Sequence, residues 1–149
     1  MDLYGSFGLI YLGLSAYLTG LIWTVQLGVY PAFRVANPDA FVSFHKRYTQ
    51  LITVLVAPAM LIDLGLSTWW LIESWTGSYI PSWIGYLQFF LSGVGLVSTF
   101  FIQVPIHNAL SRQWSETKAS ELVNTNWIRT FAWTLKLVLT LWALDALPA

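Results

Sequence analysis

The two histidines of this chain, His45 and His107, each stand at the border of a long apolar run, beside other polar residues at helical spacing. Gln26 and Tyr30 are four apart, as are Gln103 and His107, and His45 and Thr49. Asn126 and Arg129 are three apart, and Trp133 and Lys136 continue that stripe. On a helix such pairs share a face. Three kinds of chemistry suit them. Neutral imidazoles on neighbouring helices could hold a metal ion or a haem. They could move protons, with Tyr30 or Tyr48 as phenolic partner. Or they could simply hydrogen-bond to one another and fix helix positions. Arg129, flanked by Asn124 and Asn126, could clamp an anion or a carbonyl, or could snorkel to the interface. Carboxylates are missing from the set, because Asp39, Glu116 and Glu121 fall in links between the apolar runs. No Glu-x-x-His pair occurs, which argues against a di-iron carboxylate centre.

These residues need elements to carry them. Of 149 residues, 56% are hydrophobic and only 9% charged, against roughly a quarter charged in soluble domains. Four apolar runs stand out, at about residues 7–30, 48–72, 83–106 and 127–147. Each reaches the roughly 20 residues needed to cross a bilayer as a helix. Backbone hydrogen bonds must be met internally in lipid, and no period-two alternation suggests barrel strands. The expected fold is therefore all-α: one integral membrane four-helix bundle spanning residues 1–149.

Arg34, Lys46 and Arg47 lie between the first two runs, and Arg112 and Lys118 between the last two. The link at residues 74–82 has no Lys or Arg. Positive charge favours the cytoplasm, so both termini are expected on the other side. Gln26, Tyr30, His45, Gln103, His107, Asn108, Asn126 and Arg129 then gather near the cytoplasmic face. Trp69, Trp70, Trp75, Tyr79, Trp83 and Tyr86 would form an outer aromatic belt, with Trp114 and Trp127 marking the inner interface.

Local signals add detail. Asn37-Pro38-Asp39 reads as a helix cap, a first-turn proline and a favourable acid. A helix from Pro38 would run on into the second apolar run, with Phe41, Phe44 and Tyr48 on one face and His45 beside them. Residues 111–124 suggest a separate short surface helix. Pro58 and Pro105 are expected to bend their helices. Ala16 with Gly20, and Gly95 with Thr99, are expected at close helix contacts. Gln26…Tyr30-Pro31 and Gln103…Pro105…His107 close the first and third runs alike, hinting at a duplicated hairpin. Asp63 and Lys136 are charges within the apolar runs, and their depths differ by about 10 Å at helical rise, so a direct pair is not expected.

Several classes are excluded. The absence of cysteine removes disulfides, thiolate nucleophiles, iron–sulfur clusters and cysteine-ligated zinc. Seven basic and seven acidic residues leave no electrostatic footprint for nucleic acid. Gly93-Val-Gly95-Leu-Val-Ser98 nearly spells a dinucleotide fingerprint, but it lies within an apolar run without a preceding strand, so no nucleotide motif is read there. The first run is too long for a signal-peptide core and reads as a retained helix.

A resemblance covers most of the chain. Trp23-x-Val25-Gln26-x-x-x-Tyr30-Pro31-x-Phe33, Phe44-His45, Ala57-Pro58-x-Met60, Gln103-Val104-Pro105-Ile106-His107 and Asn126-Trp127-Ile128-Arg129-Thr130 with Trp133-Thr134 resemble a family of uncharacterised small bacterial four-helix membrane proteins. The motifs of the third and fourth runs are also distantly similar to anthrone-oxygenase-like membrane proteins. That resemblance implies oxidation of a polycyclic aromatic substrate, without an obvious cofactor motif. It selects Gln26, Tyr30, His45, Gln103, His107, Asn126 and Arg129. The chain departs from the pattern at Val29, where relatives carry histidine, and at Asp63, where they carry glutamate. The first departure weakens a three-histidine metal site.

The leading expectation is a site near the cytoplasmic face of a bacterial inner membrane that binds or oxidises a hydrophobic, aromatic or quinone-like molecule. His45, His107 and Arg129 would be its catalytic groups, with His45 and His107 the alternatives as ligands to a metal or haem. Gln26, Tyr30, Gln103 and Asn126 would hold the ligand. The rival expectation is a non-catalytic accessory subunit of a larger membrane complex of respiratory or photosynthetic type. A homo-oligomer fits either, and a small transporter is a third reading.

Overall fold

The computed structural model describes residues 3–76 and 81–145. They form four long helices. Helix α1 comprises Leu3–Thr24, a π-helical turn at Val25–Val29 and Tyr30–Arg34. Helix α2 is Pro38–Trp75. Helix α3 comprises Ser82–Ser98, a second π-helical turn at Thr99–Gln103 and Val104–Leu110. Helix α4 is Glu116–Asp145. Consecutive helices are neighbours and α4 packs back on α1, the arrangement of an up-and-down bundle. Among the described residues there is no strand.

Polarity is distributed inside out. Asp63, Gln88, Ser92, Gln103, Asn126, Arg129 and Lys136 are buried, whereas Val54, Leu61, Phe90, Phe101 and Phe131 are among many large apolar side chains left exposed. Water would penalise that surface and hydrocarbon would not. Three helices, α1 to α3, are long and apolar enough to cross a membrane. Helix α4 carries more charge, and its Arg129 and Lys136 turn inward, only 5% and 1% exposed.

The helix ends on the site side follow local chemistry. Asn37 caps α2, its side chain accepting from the Asp39 amide at 2.9 Å, with Pro38 in the first turn. As expected from Asn37-Pro38-Asp39, α2 begins there and continues without interruption into the apolar run. It runs on through Pro58, and one turn before that proline the Leu55 carbonyl accepts from Tyr17 Oη at 3.3 Å. Trp114 Nε1 donates to the Phe33 carbonyl at 3.0 Å, fastening the α3–α4 link to the end of α1.

The structure corrects several expectations. No separate surface helix precedes α4: the chain is helical without a break from Glu116, because Ala119 and Leu122 pack into the core formed by Val25, Phe33, Phe41 and Leu110. Ala16 and Gly20 do not mediate packing. Both are exposed, and a Cβ on Gly20 would meet nothing within 4 Å. The inward face of α1 is Tyr11, Ser15, Leu18, Thr19 and Ile22 instead. Gly95 does sit in a close contact, where a Cβ would lie 2.8 Å from Trp133 Nε1. Trp70 belongs to the core, 2% exposed, against Tyr11 at 4.9 Å between ring centroids. Trp75, Trp83 and Tyr86 are exposed as a belt requires, while Tyr79 and the last residues assigned to the fourth run lie outside the described residues.

Asp63 and Lys136 also depart from expectation, because they pair directly at 2.6 Å. The apolar runs of α2 and α4 do not begin at the same level of the bundle, so depth reckoned from their first residues misplaces the two side chains. Counted from the opposite helix ends, Trp75 and Asp145, the two residues differ by less than one turn, or about 4.5 Å. A lysine stem covers that distance.

A polar cluster and cavity at the end of the bundle

The two π-helical turns position the site. Each is five residues long, and each is followed by a helix carrying proline in its first turn, Tyr30-Pro31 and Val104-Pro105. Proline brings no amide hydrogen, so it suits the point where the hydrogen-bond register changes. Gln26 is the second residue of the first turn and Gln103 the last residue of the second, and both are buried. Each reaches across to α4. Gln26 Nε2 donates to the Val123 carbonyl at 3.1 Å, and its Oε1 accepts from Asn126 Nδ2 at 2.7 Å. Gln103 Nε2 donates to Thr125 Oγ1 at 2.9 Å. The two closing motifs thus share a π-helical turn followed by proline, while their glutamines stand at different places in the turn.

Past the turns, the site residues converge. Tyr30 Oη and His107 Nε2 are 3.0 Å apart, His107 Nδ1 and His45 Nε2 are 3.0 Å apart, and His45 Nδ1 and Ser111 Oγ are 2.9 Å apart. Phe33 packs edge-on against Phe41, His45 and Tyr48, which fixes the His45 ring. The two imidazoles stack at 5.1 Å with an interplanar angle of 27°.

Arg129 completes the cluster. Its Nε donates to Asn126 Oδ1 at 3.0 Å, one Nη donates to Thr99 Oγ1 at 3.2 Å, and the other donates to Asn126 Oδ1 and, at 3.2 Å, to Tyr30 Oη. These bonds occupy four of the five guanidinium N–H groups. Every partner is neutral. Among the described residues Arg129 makes no ion pair, although its side chain is buried. Trp133 offers a ring face at 6.0 Å, which compensates the charge only in part.

Beside Arg129 lies a cavity of about 180 Å³ between α2 and α3. Most of its wall is apolar, including Val25, Val56, Met60, Leu96 and Phe100, and its polar end is made by Tyr30, Thr99, Gln103, His107 and Arg129. Gln103 Oε1 is buried and has no hydrogen-bond partner. The Tyr48 hydroxyl, beside Tyr30 and both histidine rings, is buried as well. A second cavity of about 430 Å³ adjoins the first and shares Ile52, Thr53, Val104 and His107 with it. Its remaining wall is Thr49, Gln50, Asn108 and Ser111, which makes it more polar than the first and accessible at the bundle end.

Of the residues singled out in the sequence, Gln26, Tyr30, His45, Gln103, His107, Asn126 and Arg129 all come together here. Asn108 only borders the outer cavity, and Asn124 is exposed rather than part of a clamp with Arg129. Thr99 and Ser111 are site residues not anticipated in those roles. Ser111 stands four residues after His107, so extending the helical stripe by one turn would have found it.

A metal or haem does not suit this arrangement. All four imidazole nitrogens are engaged in hydrogen bonds, two of them with each other. Among the described residues no three His, Cys, Asp or Glu side chains come together as metal ligands. No protein-family profile, curated protein or solved structure matches the chain.

Proposed function

We propose that this protein is a membrane-embedded binding site for a hydrophobic molecule carrying one aromatic or quinone-like ring, and that it does acid–base chemistry on the ring oxygen. The observation that carries this reading is Arg129, a buried guanidinium without a carboxylate partner at the head of an apolar cavity. A buried charge left uncompensated costs several kcal/mol. A phenolate or polarised carbonyl oxygen placed there would offset that cost, and the site would stabilise negative charge as it develops. Gln103 Oε1 adds an acceptor for a ligand hydroxyl.

Size supports a small ring. A cavity of roughly 150 Å³ admits benzene, so about 180 Å³ takes one ring with small substituents. Three fused rings, as in an anthrone, need more space than this. Leu61, Phe100 and Val104 line the cavity and are also exposed on the outer surface, so a ligand arrives from the side, out of the hydrocarbon. His107 and Arg129 touch the cavity directly, whereas His45 acts through His107 and is a positioning residue.

The test is equilibrium dialysis of 2,6-dimethylphenol and 2,6-dimethyl-1,4-benzoquinone against the protein in lipid nanodiscs. Saturable binding is expected, weakened tenfold or more by Ala57→Phe, which fills the cavity, and by Arg129→Gln. Binding that ignores both substitutions would sink the proposal.

A further inference from the structure

The hydrogen bonds of the site can all run in one direction. A guanidinium only donates, so Tyr30 Oη accepts from Arg129 and keeps its own proton to give to His107 Nε2, 3.0 Å away. With that bond made, His107 Nε2 is the bare nitrogen, and the ring proton sits on Nδ1. That proton points to His45 Nε2, which is bare in turn. The His45 proton then sits on Nδ1 and points to Ser111 Oγ. In this arrangement the bonds follow a path that starts at the apolar cavity and ends at Ser111, on the wall of the outer cavity.

We infer that Tyr30, His107, His45 and Ser111 form a proton relay poised to carry a proton out of the ring cavity to the bundle end, so that the site takes hydroxyl ligands of the phenol or hydroquinone class and deprotonates them. This rests on the reading of the cavity as a ring site and adds a direction and a substrate class to it. The steps balance without any change of oxidation state. The ligand O–H bond breaks and its proton goes to Tyr30 Oη. The former Tyr30 proton bonds to His107 Nε2 as the Nδ1 proton of His107 passes to His45 Nε2. The Nδ1 proton of His45 passes to Ser111 Oγ, and the Ser111 hydroxyl proton leaves to water in the outer cavity. The ligand remains as an oxyanion beside Arg129, and both histidines end with the proton on Nε2. A carbonyl ligand asks for the opposite flow, and each bond of the resting chain points against it.

Because the chain contains only two histidines, nitrogen NMR of the whole protein, labelled with 15N-histidine in nanodiscs, reads the relay directly. His45→Gln assigns the two rings. Without ligand, both rings are expected to carry the proton on Nδ1, and a ring protonated on Nε2 overturns the inference. With 2,6-dimethylphenol bound, both are expected to switch to Nε2. Phenol that binds by dialysis while the tautomers stay unchanged overturns the relay but not the ring site. Phenol that fails to bind overturns the ring site, while the ligand-free spectrum still decides the polarity. Ser111→Ala, which removes the last acceptor without touching the ring cavity, is expected to leave His45 in mixed tautomers, and Ser111→Thr to restore a single one. Unchanged spectra in Ser111→Ala would remove Ser111 from the path.

Discussion

Lys136 Nζ lies 2.6 Å from both carboxylate oxygens of Asp63, inside the bundle and well away from the histidines. Ser92 Oγ contacts the same ammonium and also donates to Asp63 at 2.9 Å, and the Tyr11 ring lies 5.2 Å from Nζ. Helices α1 to α4 each supply one member. The pair is enclosed, with side chains 1% and 3% exposed, so removing one partner strands the other.

Asp63→Asn or Lys136→Met is expected to cost about 3–5 kcal/mol, and the double replacement Asp63→Leu with Lys136→Met much less, because an apolar pair of similar volume can substitute for a buried ion pair. Denaturant unfolding in detergent micelles measures all three. A double variant as unstable as the singles would show that Ser92 and Tyr11 depend on the charges for their own placement.

Two glycines should behave oppositely. A Cβ on Gly85 would lie 2.5 Å from Ser74 Oγ and 3.1 Å from the Leu71 Cα, so α2 and α3 would be pushed apart. Gly85→Ala is expected to destabilise by about 1–3 kcal/mol, in the range of overpacked cores. Gly20→Ala meets nothing and gains helix propensity. Thermal unfolding of the two variants side by side tests the packing assigned to them.

Arg129→Lys should fail as a conservative change. A single ammonium cannot reach Asn126, Thr99 and Tyr30 together as the planar guanidinium does. Phenol affinity is expected to fall by tenfold or more, nearly as far as in Arg129→Gln. Near-normal affinity in the lysine variant would mean that charge alone suffices and that the fork geometry is incidental.

Met60 sets the width of the ring cavity and is buried at its wall. Met60→Ala is expected to shift preference from a dimethylphenol to a naphthol in the same dialysis assay. It should also lower stability by about 2–5 kcal/mol, as large-to-small core changes do. An unchanged order of preference would place the ring elsewhere.

The helices were legible because hydrocarbon-length apolar runs leave few alternatives. The Asn37 cap was legible because its chemistry is local. The site's membership was legible from helical spacing, since inward polar residues on four neighbouring faces must find one another. What the sequence concealed depends on phase and extent. Ala16 and Gly20 looked like contact residues by size, yet the inward phase of α1 belongs to Ser15, Leu18, Thr19 and Ile22. Helix α4 starts at Glu116 because Ala119 and Leu122 are buried by tertiary packing, which local polarity did not reveal.

Each π-helical turn holds one residue more than the α-helical turn it replaces. Residues 25–29 and 99–103 are thus places where chain length, rather than side-chain type, sets the geometry. A deletion of one residue in either turn would restore a regular helix and rotate its far end by roughly 100°. Tyr30 would leave His107, or His107 would leave both Tyr30 and His45. A homologue shortened by that single residue could keep every motif and have no relay.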